Sequence, residues 1–411
     1  MRRSGRFRAG RTAISAVAAL GTLAGAALTG AAPAGAAPGA IQISPGVRYA
    51  HFDIRAAKGV THAHLLSVDL SNARVRVNLL HPGAVAARAA VSRLANAKGA
   101  VAAVNGDFFN ISEIQHPGVA VTGASVGPAI ASGAVLKAAV PNGQRFGPAM
   151  PAGITTTAVL GVGTDRKARL DNLALSGTVG TPSGRFALGG LNQYALPVGS
   201  VGAFTPVWGS VSRARAVCGT DTDRGAPCST DTYEVTVRRG KVVRLSDSPG
   251  AGAIVADTTV LLGREAGAQQ LRKLWVGAKV TVKHRLVAAA SRVPYRFALG
   301  GYPVLRGGRP LTGLDTNTSA VRTAVGIANG GRKLLLLAVD GAPKYRSGLT
   351  VAEVAVAMRK LGSVDAFSLD GGGSTTFVAR APGSGAATVR NHPTGGAERL
   401  VPNAIGVFLT S

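Results

Sequence analysis

Only two cysteines, Cys218 and Cys228, occur in 411 residues. Neither a histidine nor a second cysteine pair stands beside them in sequence, which argues against a metal site or a thiol nucleophile there. They flank a polar, turn-rich stretch, 219–227, and an exported chain would close that loop with a disulfide. Aromatic residues make up 5% of the chain. No basic run is interleaved with them, so a stacking platform for single strands is not supported. No specific nucleic-acid partner is expected. Past the N-terminal leader no apolar run is long enough to cross a bilayer, and no transmembrane segment is expected after signal removal. No repeat of solenoid length is visible. Acidic residues are scarce too, 19 against 46 Lys and Arg.

What is present begins with a leader. Arg2, Arg3, Arg6, Arg8 and Arg11 precede an Ala-rich apolar stretch, 13–28, and Ala34-Gly35-Ala36 fits a small-residue cleavage site. Residues 1–36 therefore read as a secretory signal peptide, and the expected product is a bacterial secreted protein, extracellular or associated with the cell wall. Loss of those five arginines takes the formal charge from +27 to +22. A cation of that size in the exported space is expected to associate with anionic polymers such as phosphate-bearing wall glycan. Hydrophobic residues at 46% are ample for a core.

The chemistry concentrates in Leu369-Asp370-Gly371-Gly372-Gly373-Ser374-Thr375-Thr376. An apolar run, 364–369, ends there in one carboxylate, and three glycines allow positive φ and close backbone approach. Successive amides in such a turn can point at one anion. A second apolar run, 334–339, ends likewise in Asp340-Gly341. Between the two, 350–361 reads as a helix: Thr350 and Glu353 have capping-box spacing, Val351, Val354, Met358 and Leu361 form an apolar stripe, and Gly362 supplies the stop. Strand, helix and strand predict a βαβ unit with parallel strands. If the strands are neighbours, Asp340 and Asp370 open on one edge, where such sheets bind ligands. The two acids suit base, nucleophile or ligands of a divalent cation, the one cofactor considered. Aspartate after a strand is also a common turn residue.

Around this unit the chain falls into parts: an N-terminal segment, 37–59; a first catalytic part, 60–149; a β-rich inserted or accessory domain, 150–290; and a second catalytic part, 291–411. The expected fold class is α+β, a mixed sheet with flanking helices around the βαβ unit. Helices are expected over 85–97 and 265–275, and a hairpin turn at Arg239-Gly240. His62 and His64 share a strand face, where half-buried histidines are commoner than a metal pair. His116 and His392 sit in loops where a ring could donate a proton, but single loop histidines are more often incidental and neither is assigned a role; Glu398 stands beside Arg399 as a pairing partner.

In order along the chain, 104–109, 322–327, 339–341, 348–361, 369–376 and 398–407 resemble the phosphodiester glycosidase family, which includes the lysosomal uncovering enzyme. The resemblance covers most of 60–145 and 295–411. It implies hydrolysis of a sugar-1-phosphodiester (a glycosyl phosphate), releasing the sugar and a phosphate monoester. It also implies a pocket lined by Asn105, Asp107, Arg322, Thr323, Asp340, Asp370, Gly371, Gly372, Gly373, Ser374, Thr375, Arg399 and Asn403. Asp340 and Asp370 would be the acids and Arg322 and Arg399 the phosphate clamp, since guanidinium grips phosphate through two parallel bonds. The chain departs from the family at Asp107, where many members carry Gly, and at Ala342, where many carry Arg. Lys344 and Arg346 are the candidate replacements. The alternative is a non-catalytic binder of anionic cell-wall polysaccharide.

Overall fold

Leu334, Leu335, Leu336 and Leu337 are each 3% exposed or less. A strand buried on both faces needs apolar residues at every position, and this one has no polar face to show. The structure, a computed structural model, describes residues 40–345 and 347–410. The expected signal peptide, 1–36, and Arg346 lie outside those residues.

The leucine strand, Lys333–Val339, pairs antiparallel with Gly59–Asp69 on one side and with Thr323–Ala328 on the other. Asp365–Ser368 lies antiparallel along the far side of Thr323–Ala328. With Ile41–Ser44, Val47–Ala56, Tyr302–Arg306 and Arg309–Pro310 these make an eight-stranded sheet. The helix Val351–Lys360 forms as expected. Thr350 caps it by accepting from the Glu353 amide, and Glu353 returns the bond to the Thr350 amide. Its buried stripe of Val351, Val354, Ala355 and Met358 joins the core of this sheet.

The expected α+β fold around a βαβ unit is overturned. Strands dominate, helices are few, and among the described residues every named strand pairing except Gly190–Leu191 with Val201–Phe204 is antiparallel. Lys333–Val339 and Asp365–Ser368 do run the same way, but Thr323–Ala328 lies between them and opposes both. The periodicity of two strands and a helix cannot tell which third strand fills the gap.

A second sheet, ordered Ala387–Val389, Phe377–Arg380, Ala102–Asn105, Ala404–Leu409 and Val75–Leu80, shares its core with the first: Val104, Phe377 and Ile405 cluster with Leu336 and Phe367. A third sheet takes Ala158–Gly163, Ala168–Thr181 and Thr281–Ala288 from the 150–290 stretch and joins them to Tyr295–Gly300 and Ala129–Ala131. The fourth, built on Thr232–Arg238, Lys241–Ser246 and Thr258–Arg264, lies wholly within 150–290. Its hairpin turns at Arg239 and Gly240, with φ of 50° and 76°, the two positive angles a two-residue turn of this hand requires. The disulfide Cys218–Cys228 is formed. The other two expected helices are shorter than read, Val91–Lys98 and Ala266–Leu271. No helix among the described residues is long and apolar enough to cross a membrane.

Candidate active site

Ala102–Asn105 ends on a fully buried asparagine that ties three elements together. The Asn105 Nδ2 donates to the Asp370 carbonyl at 2.7 Å, and its Oδ1 accepts from the Thr323 hydroxyl at 2.7 Å and the Thr376 amide at 3.2 Å. The Thr323 and Thr375 hydroxyls stand 3.2 Å apart. A buried side-chain amide with its groups matched in this way fixes loop geometry, because leaving any of them unpaired is costly.

The Asp370 turn is held by its backbone. Leu369, Asp370 and Gly372 donate their amides to the carbonyls of Thr323, Gly106 and Val321. The glycines have separate reasons. Gly372 takes φ +58° and a Cβ on Gly371 would stand 2.6 Å from the Val321 carbonyl oxygen, whereas one on Gly373 would meet only the movable end of Arg399. Asp370 and all three glycines stay partly exposed, so the turn lies at the surface. As an anion cradle it is incomplete, since the Gly371 amide donates to Asp370 Oδ1 at 2.9 Å and that of Gly372 to Val321. Burial pushes the Asp370 carboxyl up to about 6, against the Ser374 hydroxyl, the Gly371 amide and the Arg399 charge; the Asp107 charge adds to the rise.

Asp107 is buried beside this turn. Its carboxylate accepts from the amides of Phe108 and Gly127 at 2.8 and 2.7 Å. Burial pushes its pKa up, opposed first by Lys137. Lys137 is itself buried, with Nζ donating to the carbonyls of Val126, Gly127 and Ala138, and burial pulls its ammonium down to about 7. Arg145 lies over the rings of Phe108 and Tyr302 at 4.9 and 5.3 Å, and its charge is felt at both Asp107 and Asp370. Sequence reasoning missed Lys137 and Arg145, since nothing local distinguishes either from a surface cation. Asn403, 4% exposed, accepts the Asp107 amide at 2.9 Å.

Asp340 has different company. Its Oδ1 accepts the Ala342 amide at 2.7 Å; its Oδ2 lies 2.9 Å from His392 Nδ1 and 3.2 Å from His64 Nε2. Burial works against the carboxylate, yet the Ala342 amide and the two histidines hold its pKa below the usual value. Burial pulls His64 down to about 4 despite Asp340, so the ring is neutral near pH 7. Nε2 then carries the proton toward Asp340, and Nδ1 accepts from the Tyr49 hydroxyl at 2.9 Å.

Both acids sit at the same end of the eight-stranded sheet, on either side of Arg322 and Thr323, whose carbonyls take the amides of Val339 and Leu369. With one strand between theirs, the two backbones are two strand spacings apart, about 10 Å. Asp340 has its oxygens engaged by its own partners, the Ala342 amide and the rings of His64 and His392. The cluster among the described residues with metal-ligand proximity is His116 with Cys218 and Cys228, and the disulfide takes both sulfurs out of ligation.

Segments of both sheets that resemble a known family thus meet around the Asp370 turn. Residues 231–408 match the phosphodiester glycosidase family model. A hypothetical protein from Synechocystis shares the fold, with TM-score 0.67 and 21% identity over 90% of this chain; the chain spans 63% of that protein's length. A "putative exported protein" from Burkholderia pseudomallei gives 0.63 and 23%, over 85% of this chain and 74% of its own. The zebrafish N-acetylglucosamine-1-phosphodiester alpha-N-acetylglucosaminidase catalytic domain, auto-inhibited by its pro-peptide, gives 0.44 and 16%, over 89% and 85%. No curated protein matches the chain.

Arg322 and Glu398 do not stand as the sequence suggested. The Arg322 guanidinium donates to the carbonyls of Leu349 and Thr318 at 2.9 and 2.8 Å and props the rim instead of facing open space. Arg399 is the open one, partly exposed and, among the described residues, bonded only to the Ser374 hydroxyl at 3.3 Å. Glu398 does not pair with it. It accepts from the amide and hydroxyl of Ser92 at the start of the helix Val91–Lys98, where a carboxylate favours the positive end of the helix dipole. At the departure from the pattern, the Ala342 amide serves Asp340, and Lys344 leans over Tyr345 with Nζ 5.3 Å from the ring centroid.

Proposed function

We propose that the chain is a secreted hydrolase that cleaves sugar-1-phosphodiester linkages in surface or extracellular glycans and releases a sugar and a phosphate monoester. The observation that carries this reading is Asp370: a carboxyl pushed up to about 6, on a partly exposed turn beside an open arginine. The family match over 231–408 supports the same reaction class.

A phosphate monoester leaves as a stable anion and needs little protonation. The barrier then lies in the oxocarbenium-like centre and in holding the phosphate charge. Arg399 grips the phosphate from the rim, with Arg145 adding positive charge from below. Water attacks the anomeric carbon, its proton passes to Asp370, and the C–O bond to phosphate breaks with its electron pair on the leaving oxygen. Asp340, kept ionised and fixed by His64, orients His392, whose exposed ring faces the same edge. The excess of basic residues favours anionic wall polymer as the setting of the substrate.

Hydrolysis of a synthetic glycosyl phosphodiester in ¹⁸O-water tests the bond that breaks. Label in the freed sugar is expected; label in the phosphate would make the chain a phosphodiesterase. No turnover, with salt-sensitive retention on wall polymer intact, would favour the non-catalytic binder. The pH profile follows from Asp370. A base must be ionised, its carboxyl is protonated below about 6, and kcat/KM should rise with pH through that value to a plateau. A falling limb at the same pH would give Asp370 the opposite role, that of an acid.

A further inference from the structure

The loop 219–227 belongs to the 150–290 stretch, yet it lies against the turn that carries Arg145. Successive residues of that turn, 143–146, all meet it. The Gly143 amide donates to the Asp221 carbonyl at 2.9 Å, and Gln144 Nε2 to the Thr220 carbonyl at 2.6 Å. Arg224 Nη1 donates to the Arg145 carbonyl at 2.7 Å, and the Arg224 guanidinium carbon stands 4.6 Å from the Phe146 ring centroid. The two backbones touch, since a Cβ on Gly143 would strike the main chain of Asp221 and Thr222.

Residues 221–225 are all exposed. The loop therefore buries little apolar surface, and its shape rests on the Cys218–Cys228 bridge and on bonds such as that from the Thr220 amide to the Asp223 carbonyl. It holds the Arg145 main chain; the side chain then lies over Phe108 and Tyr302, with Nη1 on the Pro148 carbonyl. A charge at the end of a long side chain is placed no better than the backbone it starts from, so the groups that fix that backbone belong to the site's support. We propose that Arg224, braced by the disulfide loop, is a positioning residue for Arg145 and so for the positive charge below the Asp370 turn. The proposal rests on the hydrolase reading only for the use made of that charge.

The Asp370 carboxyl, followed by ¹³C NMR across a pH series, tests this without substrate. The charges felt there are Arg145, Arg399 and Asp107. Loss of a nearby cation raises a carboxyl's midpoint, so Arg145→Met should raise it by about half a pH unit. Arg224→Ala, an exposed change, should raise it by at least half as much. The two together should do no more than Arg145→Met alone, because Arg224 acts through Arg145. Arg224→Lys keeps a donor for the Arg145 carbonyl and should titrate as wild type. Cys218→Ser with Cys228→Ser keeps the Arg224 charge, so a rise there reports position and not a lost cation; the Gly143 amide should also exchange about 10-fold faster. An unmoved midpoint in Arg145→Met or Arg224→Ala, an additive rise in their combination, or unchanged Gly143 exchange in the serine pair overturns the proposal. The loop would then be a staple for the fold alone. These shifts in a protein that turns over no glycosyl phosphodiester would remove the hydrolase reading and leave the positioning role standing.

Discussion

Asp370→Asn should lower kcat on a glycosyl phosphodiester by about 10²–10⁴-fold, the range for loss of a positioned proton acceptor. The fold should be untouched. Asparagine keeps an oxygen for the Gly371 amide that now bonds Oδ1 at 2.9 Å. The turn itself is held by main-chain groups, with the Asp370 amide on Gly106 and its carbonyl under Asn105. Loss of a carboxyl pushed up by burial removes a desolvation penalty, so thermal stability should hold or rise. The decisive pair of measurements is kcat and the unfolding midpoint on the same preparation. A variant with wild-type kcat would remove Asp370 from the chemistry and leave the proposed reaction without its base. A variant with low kcat and a lowered midpoint would point to a scaffolding aspartate.

The Asp370 turn, the capped helix at Thr350 and the Arg239-Gly240 hairpin were legible because each is written in adjacent residues: a carboxylate before glycines, a capping box, two turn residues between alternating strands. The cysteine pair belongs to the same class, ten positions apart on one loop. What failed was pairing at a distance. The antiparallel strand Thr323–Ala328 sits between the two strands that sequence made neighbours, and alternation says nothing about which strands touch. The side-chain errors share that origin. Arg322 and Arg399 look alike in sequence, yet one guanidinium is bound to carbonyls 4 and 27 residues away and the other is open. Glu398 turned from its neighbour to Ser92, 306 positions earlier. Lys137 gives no signal at all, because its burial follows from three carbonyls that only the fold assembles. His116, set aside as an isolated loop histidine, packs onto the disulfide loop with Nε2 at 2.9 Å from the Ala226 carbonyl.

That last contact leads to the largest expected effect on stability. Glu113 is 3% exposed, and its carboxylate meets Arg215 Nε at 2.6 Å, His116 Nδ1 at 2.7 Å and the Asn110 side-chain amide. Arg215, fully buried, also donates to Gln144 Oε1 at 3.0 Å and the Cys218 carbonyl at 3.1 Å, with its guanidinium carbon 5.3 Å from the Tyr194 ring centroid. This one ion pair therefore fastens the loop after Phe109 to the disulfide loop. Removing a single partner of a buried pair leaves the other charge without solvent or counter-ion, so Glu113→Ala should cost about 3–5 kcal/mol. Gln144 and Cys218 do not relieve it, because neutral acceptors solvate a guanidinium but do not balance its charge. The double variant Glu113→Gln with Arg215→Met removes both charges, keeps an amide for Asn110 and His116, and should recover most of the loss. Denaturant midpoints taken with the disulfide intact measure both. A single variant within about 1 kcal/mol of wild type would mean that water reaches Arg215, and the junction would then be held by the disulfide and its apolar neighbours alone.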